Sequence, residues 1–148
     1  MAEYIALDQL VSLNDAITFI DANPCRKGLI YHDNGTGLFV LKGKTNNCFM
    51  RYSLQFNGNI AIPTGGAISP IGVSISVFGE DRQSSESIYT PTVVDAFGNV
   101  TSIASITVPK GCCFSVAVRY TDATTDDAAT VPTPTIEVRN GNLVIEAE

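Results

Sequence analysis

The strongest constraint on this chain is an alternation of apolar and polar residues at every second position. Residues 49–56 show it most clearly, since one face of a strand there would carry Met50, Tyr52, Leu54 and Phe56. The composition agrees, because 13 Val, 14 Ile and 14 Thr give the chain many β-branched side chains, which favour strands over helices. Twelve Gly and seven Pro interrupt the chain at short intervals. We therefore predict an all-β protein, an antiparallel β-sandwich or barrel.

The same alternation predicts further strands, with turn residues between them. They cover 29–32, 38–42, 73–79, 88–94, 100–108 and 112–120. Of the three Asn-Gly dipeptides, those at 57–58 and 140–141 lie between apolar segments, and Asn-Gly is the sequence type most favoured in two-residue β-turns. They predict two hairpins, one joining 49–56 to 59–62 and one joining 136–139 to 142–146. No helix is predicted.

Residues 1–13 are apolar without a regular period, and two interpretations remain open for them. They form either a first strand or an extended N-terminal arm, and residues 14–148 form the sandwich domain. The first residues lack the basic start and long apolar stretch of a signal peptide. No apolar run reaches the roughly 18 residues that a membrane helix needs, so no membrane partner is expected.

The net charge of −6 is spread unevenly, with acidic ends and a mildly basic middle. An acidic chain does not suit the phosphate backbone, so nucleic acid is not an expected partner. Small residues, Ser102 beside Ala104 and Ser115 with Ala117, are predicted on outward faces that carry few charges. We expect another copy of the chain to cover such a face, which predicts a homo-oligomer. The alternative is a monomer with an ordinary Ser/Thr surface.

The four cysteines show no metal-binding spacing, and structural zinc is not predicted. Neighbouring residues of a strand face opposite ways, so Cys112 is predicted to be buried and Cys113 to face outward. We expect reduced thiols, with a Cys25–Cys48 disulfide as the alternative outside a cell.

Few other residues suggest chemistry, because the chain has one histidine and no tryptophan. His32 is predicted to be a surface or turn residue rather than a ligand. The acidic segment with Asp122, Asp126 and Asp127 is expected to be solvated, with calcium binding as the alternative. No catalytic, cofactor-binding or metal-binding residue is predicted, and no enzymatic activity.

Several stretches resemble small proteins encoded by gut bacteria and their phages. They include RYSLQFNGNIAIPTGGAISPIGVSISVFGE and the ending EVRNGNLVIEAE, and the resemblance spans roughly residues 24–146. The order of predicted strands is also similar to that of trimeric jelly rolls of the tumour-necrosis-factor/C1q type. The resemblance implies a jelly-roll sandwich, a homotrimer and no catalytic motif.

That resemblance leads to a functional expectation: a structural virion protein on the capsid exterior, made in the bacterial cytoplasm. It would be a capsid decoration or head-fibre subunit that docks on the phage major capsid protein. The residues expected to dock lie near the N-terminus: Tyr4, Ile5, Leu7, Leu10 and Val11. The alternative is a glycan- or receptor-binding tip that uses loops 63–70 and 121–135. A metal enzyme of the cupin type is disfavoured, because that fold needs several histidines.

Overall fold

A computed structural model describes residues 2–23, 29–43, 48–123 and 133–147. In these ranges the regular structure is twelve β-strands and one 3₁₀ turn, Gln83–Ser85. The strands are β1 Ala2–Ala6, β2 Gln9–Ser12, β3 Ile20–Asn23, β4 Ile30–His32, β5 Phe39–Lys42, β6 Phe49–Ala61, β7 Ile71–Val77, β8 Glu80–Asp81, β9 Ser87–Tyr89, β10 Gly98–Pro109, β11 Cys113–Asp122 and β12 Thr135–Ala147.

The strands form two sheets, and all their pairings are antiparallel. The first sheet has the order β10-β6-β12-β1-β3, with β2 also paired to β12. The second has the order β4-β5-β11-β7-β8, with β9 also paired to β7. The prediction of an all-β antiparallel sandwich is confirmed. Of the predicted strands, 88–94 is too long, because β9 ends at Tyr89.

Alternate residues of each long strand point between the sheets and form one core. In β10 every second residue from Val100 to Val108 is buried, and β6 buries Tyr52, Leu54 and Phe56. Burial of each large apolar side chain stabilises the fold by roughly 1.5–3 kcal/mol. The predicted period of two therefore decides which side of each strand meets the other sheet.

The hairpins predicted at Asn57-Gly58 and at Asn140-Gly141 are both wrong. Strand β6 runs without a turn through Asn57-Gly58, and β12 passes Asn140-Gly141 with only a shift of register. A Cβ atom on Gly141 would lie 2.6 Å from the Cβ of Ala6 on β1. These glycines therefore allow close approach of neighbouring strands rather than a turn. Pairing on both edges of β6 and β12 outweighs the local turn preference.

Residues 2–12 lie inside the sandwich as strands rather than outside it as an extended arm. Strand β1 pairs with β12 and β3, and β2 pairs with β12. Tyr4 is 1% exposed and Val11 3% exposed, so both belong to the core. The chain then crosses to the second sheet, where the amide of Ile17 donates to the carbonyl of Val118 at 2.8 Å.

Candidate assembly face

The outward side of β10 and β6 carries almost no charge. We call it the front face, and its members are Phe49, Arg51, Ser53, Gln55, Asn57, Asn59, Asn99, Thr101, Ile103, Ser105 and Thr107. In the register of the two strands, Ile103 lies opposite Gln55 and Ser105 lies opposite Ser53. Ile103 is 57% exposed and is the one large aliphatic side chain of the front face.

Amide side chains of the front face bond to one another. The Nδ2 of Asn99 donates to the Oδ1 of Asn57 at 2.8 Å and lies 3.2 Å from the Oδ1 of Asn59. The hydroxyl of Thr101 donates to the same oxygen of Asn57 at 3.3 Å. Neutral side chains that already satisfy one another are less costly to desolvate than ionised groups. The front face is therefore suited to contact with another protein surface.

Charged residues begin on the neighbouring strands of the same sheet. On β12 these are Glu137, Arg139 and Glu146, and on β1 Glu3 accepts a hydrogen bond from the Nδ2 of Asn142 at 2.8 Å. The guanidinium of Arg139 lies 4.8 Å from the ring centre of Phe97. The outward surface of this sheet is thus nearly uncharged on β10 and β6 and charged on β12 and β1.

Of the five residues predicted to dock on a capsid, the structure exposes three. Ile5 is 38% exposed, Leu7 58% and Leu10 64%. Tyr4 instead packs in the core, with its ring centre 4.7 Å from that of Phe39, and Val11 is also buried. The prediction is wrong for these two, because alternation along a paired strand turns every second residue inward.

The prediction that Ser102 and Ala104 lie on an outward face is also wrong. Both side chains are buried, and the hydroxyl of Ser102 donates to the carbonyl of Val73 at 2.9 Å. On the second sheet, Ala117 is 9% exposed and Ser115 is half-buried. The guanidinium of Arg119, two residues further along, donates to the carbonyls of Asn14 and Gly79. These small residues therefore offer little exposed surface, whereas the front face is exposed.

His32, predicted to lie at the surface, has a side chain that is only 1% exposed. Its Nδ1 lies 2.6 Å from the Oδ1 of Asp21, and its Nε2 lies 2.7 Å from the carbonyl oxygen of Thr36. Strand β3 carries Asp21 and belongs to the first sheet, whereas β4 carries His32 and belongs to the second. The pair therefore links the two sheets along one edge of the sandwich.

Tyr120 on β11 is another buried ring, and it lies in the core. Its hydroxyl donates to the carbonyl of Thr133. Burial, reinforced by the negative charge of Asp122, raises the pKa of Tyr120 to about 12. Burial also raises the pKa of Glu86 above its usual value, with smaller contributions from Asp81 and Asp122.

The cysteines within the described ranges are free and exposed: Cys48, Cys112 and Cys113. The prediction that Cys112 is buried is wrong, because β11 begins at Cys113 and leaves Cys112 in the preceding turn. Cys25, and with it the alternative Cys25–Cys48 disulfide, lies outside the described residues, as do Asp126 and Asp127.

Two further properties hold for the part of the chain that the structure describes. No three histidine, cysteine or acidic side chains come together there as a set that could hold a metal ion. No helix within those ranges has the length and apolar character needed to cross a membrane.

Comparison with known proteins relates the chain to others through its fold. No protein-family model and no curated protein matches the sequence. The globular domain of zebrafish complement 1qA superimposes with a TM-score of 0.55 and 12% identity, over 96% of this chain and 94% of that one. Murine APRIL at pH 5.0 gives 0.52 and 11%, over 97% and 98%. The chain therefore has a jelly-roll fold like that of C1q and tumour-necrosis-factor domains, as the resemblance implied.

The front face was absent from the predicted sites, although the sequence carries a signal for it. In 100–108, Val100, Ile106 and Val108 are an even number of residues apart, which places Ile103 on the opposite side of the strand. The signal is the scarcity of charge among these outward residues, since a single exposed isoleucine is ordinary on a protein surface. The inter-sheet pair of His32 had no comparable signal, since Asp21 lies eleven residues earlier in the chain.

Proposed function

We propose that this protein is a structural, non-enzymatic subunit that assembles as a homotrimer and decorates a phage capsid or forms part of a head fibre. The observation that carries the self-assembly part is the front face itself, which exposes Ile103 and has Arg51 as its one charged member. Burial of an apolar side chain among neutral, mutually bonded amides favours association without the cost of removing charges from water. The resemblance of residues 24–146 to phage-encoded proteins supports the virion part of the proposal.

Charge introduced at Ile103 tests the assembly. We expect the Ile103→Lys variant to become a monomer, because a buried ammonium ion without a partner opposes association. The matched control is Ile88→Lys on β9 of the second sheet, since Ile88 is 60% exposed and Ile103 57%. Light scattering should give three times the 15.7 kDa chain mass for wild type and control, and one chain mass for Ile103→Lys.

Circular dichroism of both variants checks that the strands remain intact. A monomeric wild-type protein would refute self-assembly. An Ile103→Lys variant that stays trimeric would show that the contact between copies does not lie on the front face.

Capsid docking is tested with the exposed residues near the N-terminus. Removal of residues 1–13 is unsuitable, because it would delete β1 and β2 from the sheet. We instead propose the double variant Leu7→Asp with Leu10→Asp, which should remain trimeric and lose co-sedimentation with phage shells that lack the protein. Leu38→Asp is the control, since Leu38 is 54% exposed on the chain between β4 and β5. Full decoration by the double variant would contradict docking through this segment.

A further inference from the structure

A groove on the second sheet lies beside the turn between β7 and β8. Its volume is about 570 Å³, and small-molecule sites usually measure roughly 300–1,000 Å³. Val77 and Phe114 are half-buried there and pack against the core. The other lining residues are exposed: Phe78, Glu80, Asp81 and Arg82. The groove therefore combines an apolar base with charged side chains that reach solvent.

The backbone of Phe78 adopts a conformation that a bulky side chain disfavours. Its φ is 53° and that of Gly79 is 80°, and two positive values in succession are typical of a type I′ turn. Asn-Gly is the preferred sequence of such a turn, because asparagine tolerates a positive φ better than a large residue does. The Phe78 ring is nonetheless 59% exposed, so burial does not explain its presence. Strain of this kind is typical of functional sites.

The Phe78 ring lies beside the ring of Phe114 on β11. The ring centres are 4.8 Å apart and the planes are inclined by 57°. The amide of Phe78 donates to the carbonyl of Ser115 at 2.9 Å, which fixes the turn against β11. Aromatic faces carry partial negative charge and attract C–H groups. C–H groups line the faces of a sugar ring, so this pair of rings suits a saccharide.

Charged side chains of both signs surround the two rings. Glu80 and Asp81 supply carboxylates that accept hydrogen bonds, and Arg82 supplies a guanidinium that donates them. The Nη1 of Arg119 lies 3.5 Å from the Oδ1 of Asp81 and offsets its charge. These two acidic and two basic groups balance, so they favour a neutral molecule over an ion. Sugar hydroxyl groups both donate and accept, which matches this mixture.

The segment that carries these charges is held in place by hydrogen bonds to β7. The amide of Arg82 donates to the carbonyl of Ile75 at 2.9 Å. The buried hydroxyl of Ser85 donates to the carbonyl of Arg82 at 2.6 Å and accepts from the amide of Ile75 at 2.9 Å. A site whose backbone is fixed in advance loses less conformational entropy when a ligand binds.

We propose that this groove binds a neutral saccharide, with a sugar ring packed on Phe78 and Phe114 and its hydroxyl groups bonded to the charged side chains. The site lies outside the loops 63–70 and 121–135, which were the predicted alternative for glycan binding. It also lies on the second sheet, whereas the front face belongs to the first. Saccharide binding can therefore fail or succeed independently of the proposed assembly.

The full-length protein is tested on an array of neutral, acidic and amino oligosaccharides. We expect capture by neutral members of the array. Their affinity should change by no more than about twofold between about 0.05 and about 0.5 M NaCl, because the ligand carries no charge for salt to screen. Capture by none of the neutral oligosaccharides, or by charged ones alone, would overturn the proposal.

Phe78→Asn separates ligand binding from folding, since it removes the ring and places the preferred Asn-Gly sequence in the turn. We expect an unchanged circular dichroism spectrum and an affinity for the captured oligosaccharides that is at least about tenfold weaker. The matched control is Tyr31→Ala, because Tyr31 is 53% exposed on β4, at the opposite edge of the second sheet. Its affinity should equal that of wild type.

Wild-type affinity in Phe78→Asn, or equal losses in that variant and the control, would refute a site at this groove. Arg82→Ala provides a second test that leaves the turn sequence intact, and it should also weaken binding, because a hydrogen-bond donor to the sugar is lost. Unchanged affinity in Arg82→Ala would exclude the assigned hydrogen bonds.

Discussion

Two of the buried rings, His32 and Tyr120, have similar neighbours but lie in different parts of the sandwich. A polar atom of each ring lies within hydrogen-bond distance of a backbone carbonyl, that of Thr36 or Thr133, and each ring has an aspartate nearby. The protonated form of tyrosine is neutral, so burial and Asp122 act together and raise the pKa of Tyr120 to about 12. Asp122 therefore adds to the effect of burial on the Tyr120 phenol, whereas Asp21 contacts the His32 ring directly.

Their positions in the sandwich differ as well. Tyr120 lies on β11, which has strand partners on both sides, and it is completely buried. His32 lies on β4, an edge strand, and the Asp21 side chain beside it is 32% exposed. An edge strand can move away without breaking a second ladder of hydrogen bonds, whereas a central strand cannot. We therefore expect local opening at His32 and global unfolding at Tyr120.

The largest effect should come from truncation of the two rings. Tyr120→Ala should lower the free energy of unfolding by about 4 kcal/mol, as is usual for loss of a buried aromatic ring. His32→Ala should lower it by about 2 kcal/mol, since it removes two hydrogen bonds and a stacked ring at an edge where solvent enters. Urea denaturation at about pH 6 measures both. The contrast between core and edge fails if His32→Ala is the more destabilising substitution.

A smaller effect should appear at alkaline pH and depend on Tyr120. Its pKa is raised in the folded state, from 10.0 to about 12, so its contribution to stability is full below pH 10 and is lost as the pH rises through 12. The stability lost in this way amounts to about 2 kcal/mol by pH 12. We expect wild type to lose that much more stability than Tyr120→Phe between pH 9 and 12 in denaturation experiments. Parallel curves for the two proteins would show that this phenol does not couple to folding.

The smallest effect concerns a neutral link between the sheets. The buried hydroxyl of Ser102 on β10 donates to the carbonyl of Val73 on β7, whereas the link at His32 involves the side chain of Asp21. Ser102→Ala should cost about 1 kcal/mol and the same amount from about pH 5 to 8, because the hydroxyl does not titrate there. Thermal denaturation across that range checks it. A cost that varies with pH would mean that the two links are coupled.

Sequence reasoning succeeded where the physical cause is local along the chain. Alternation from Met50 to Phe56 correctly predicted which side chains of β6 enter the core, since neighbouring residues of any strand point to opposite faces. It failed at Asn57-Gly58, where local turn preference competes with two neighbouring strands. The register of a strand and the identity of its partner strands depend on contacts between distant segments, so a dipeptide alone cannot predict them.

The sequence by itself determined that the chain forms strands, that their alternate sides are apolar and that few charges lie on β10. Only the tertiary structure decided that Tyr4 is core while Leu10 is exposed, and that His32 meets Asp21. The first group of properties follows from steric preference and spacing within a few residues. The second depends on which strand edges meet, a choice made by burial of the whole core at once, and so it appears only when all the strands are assembled.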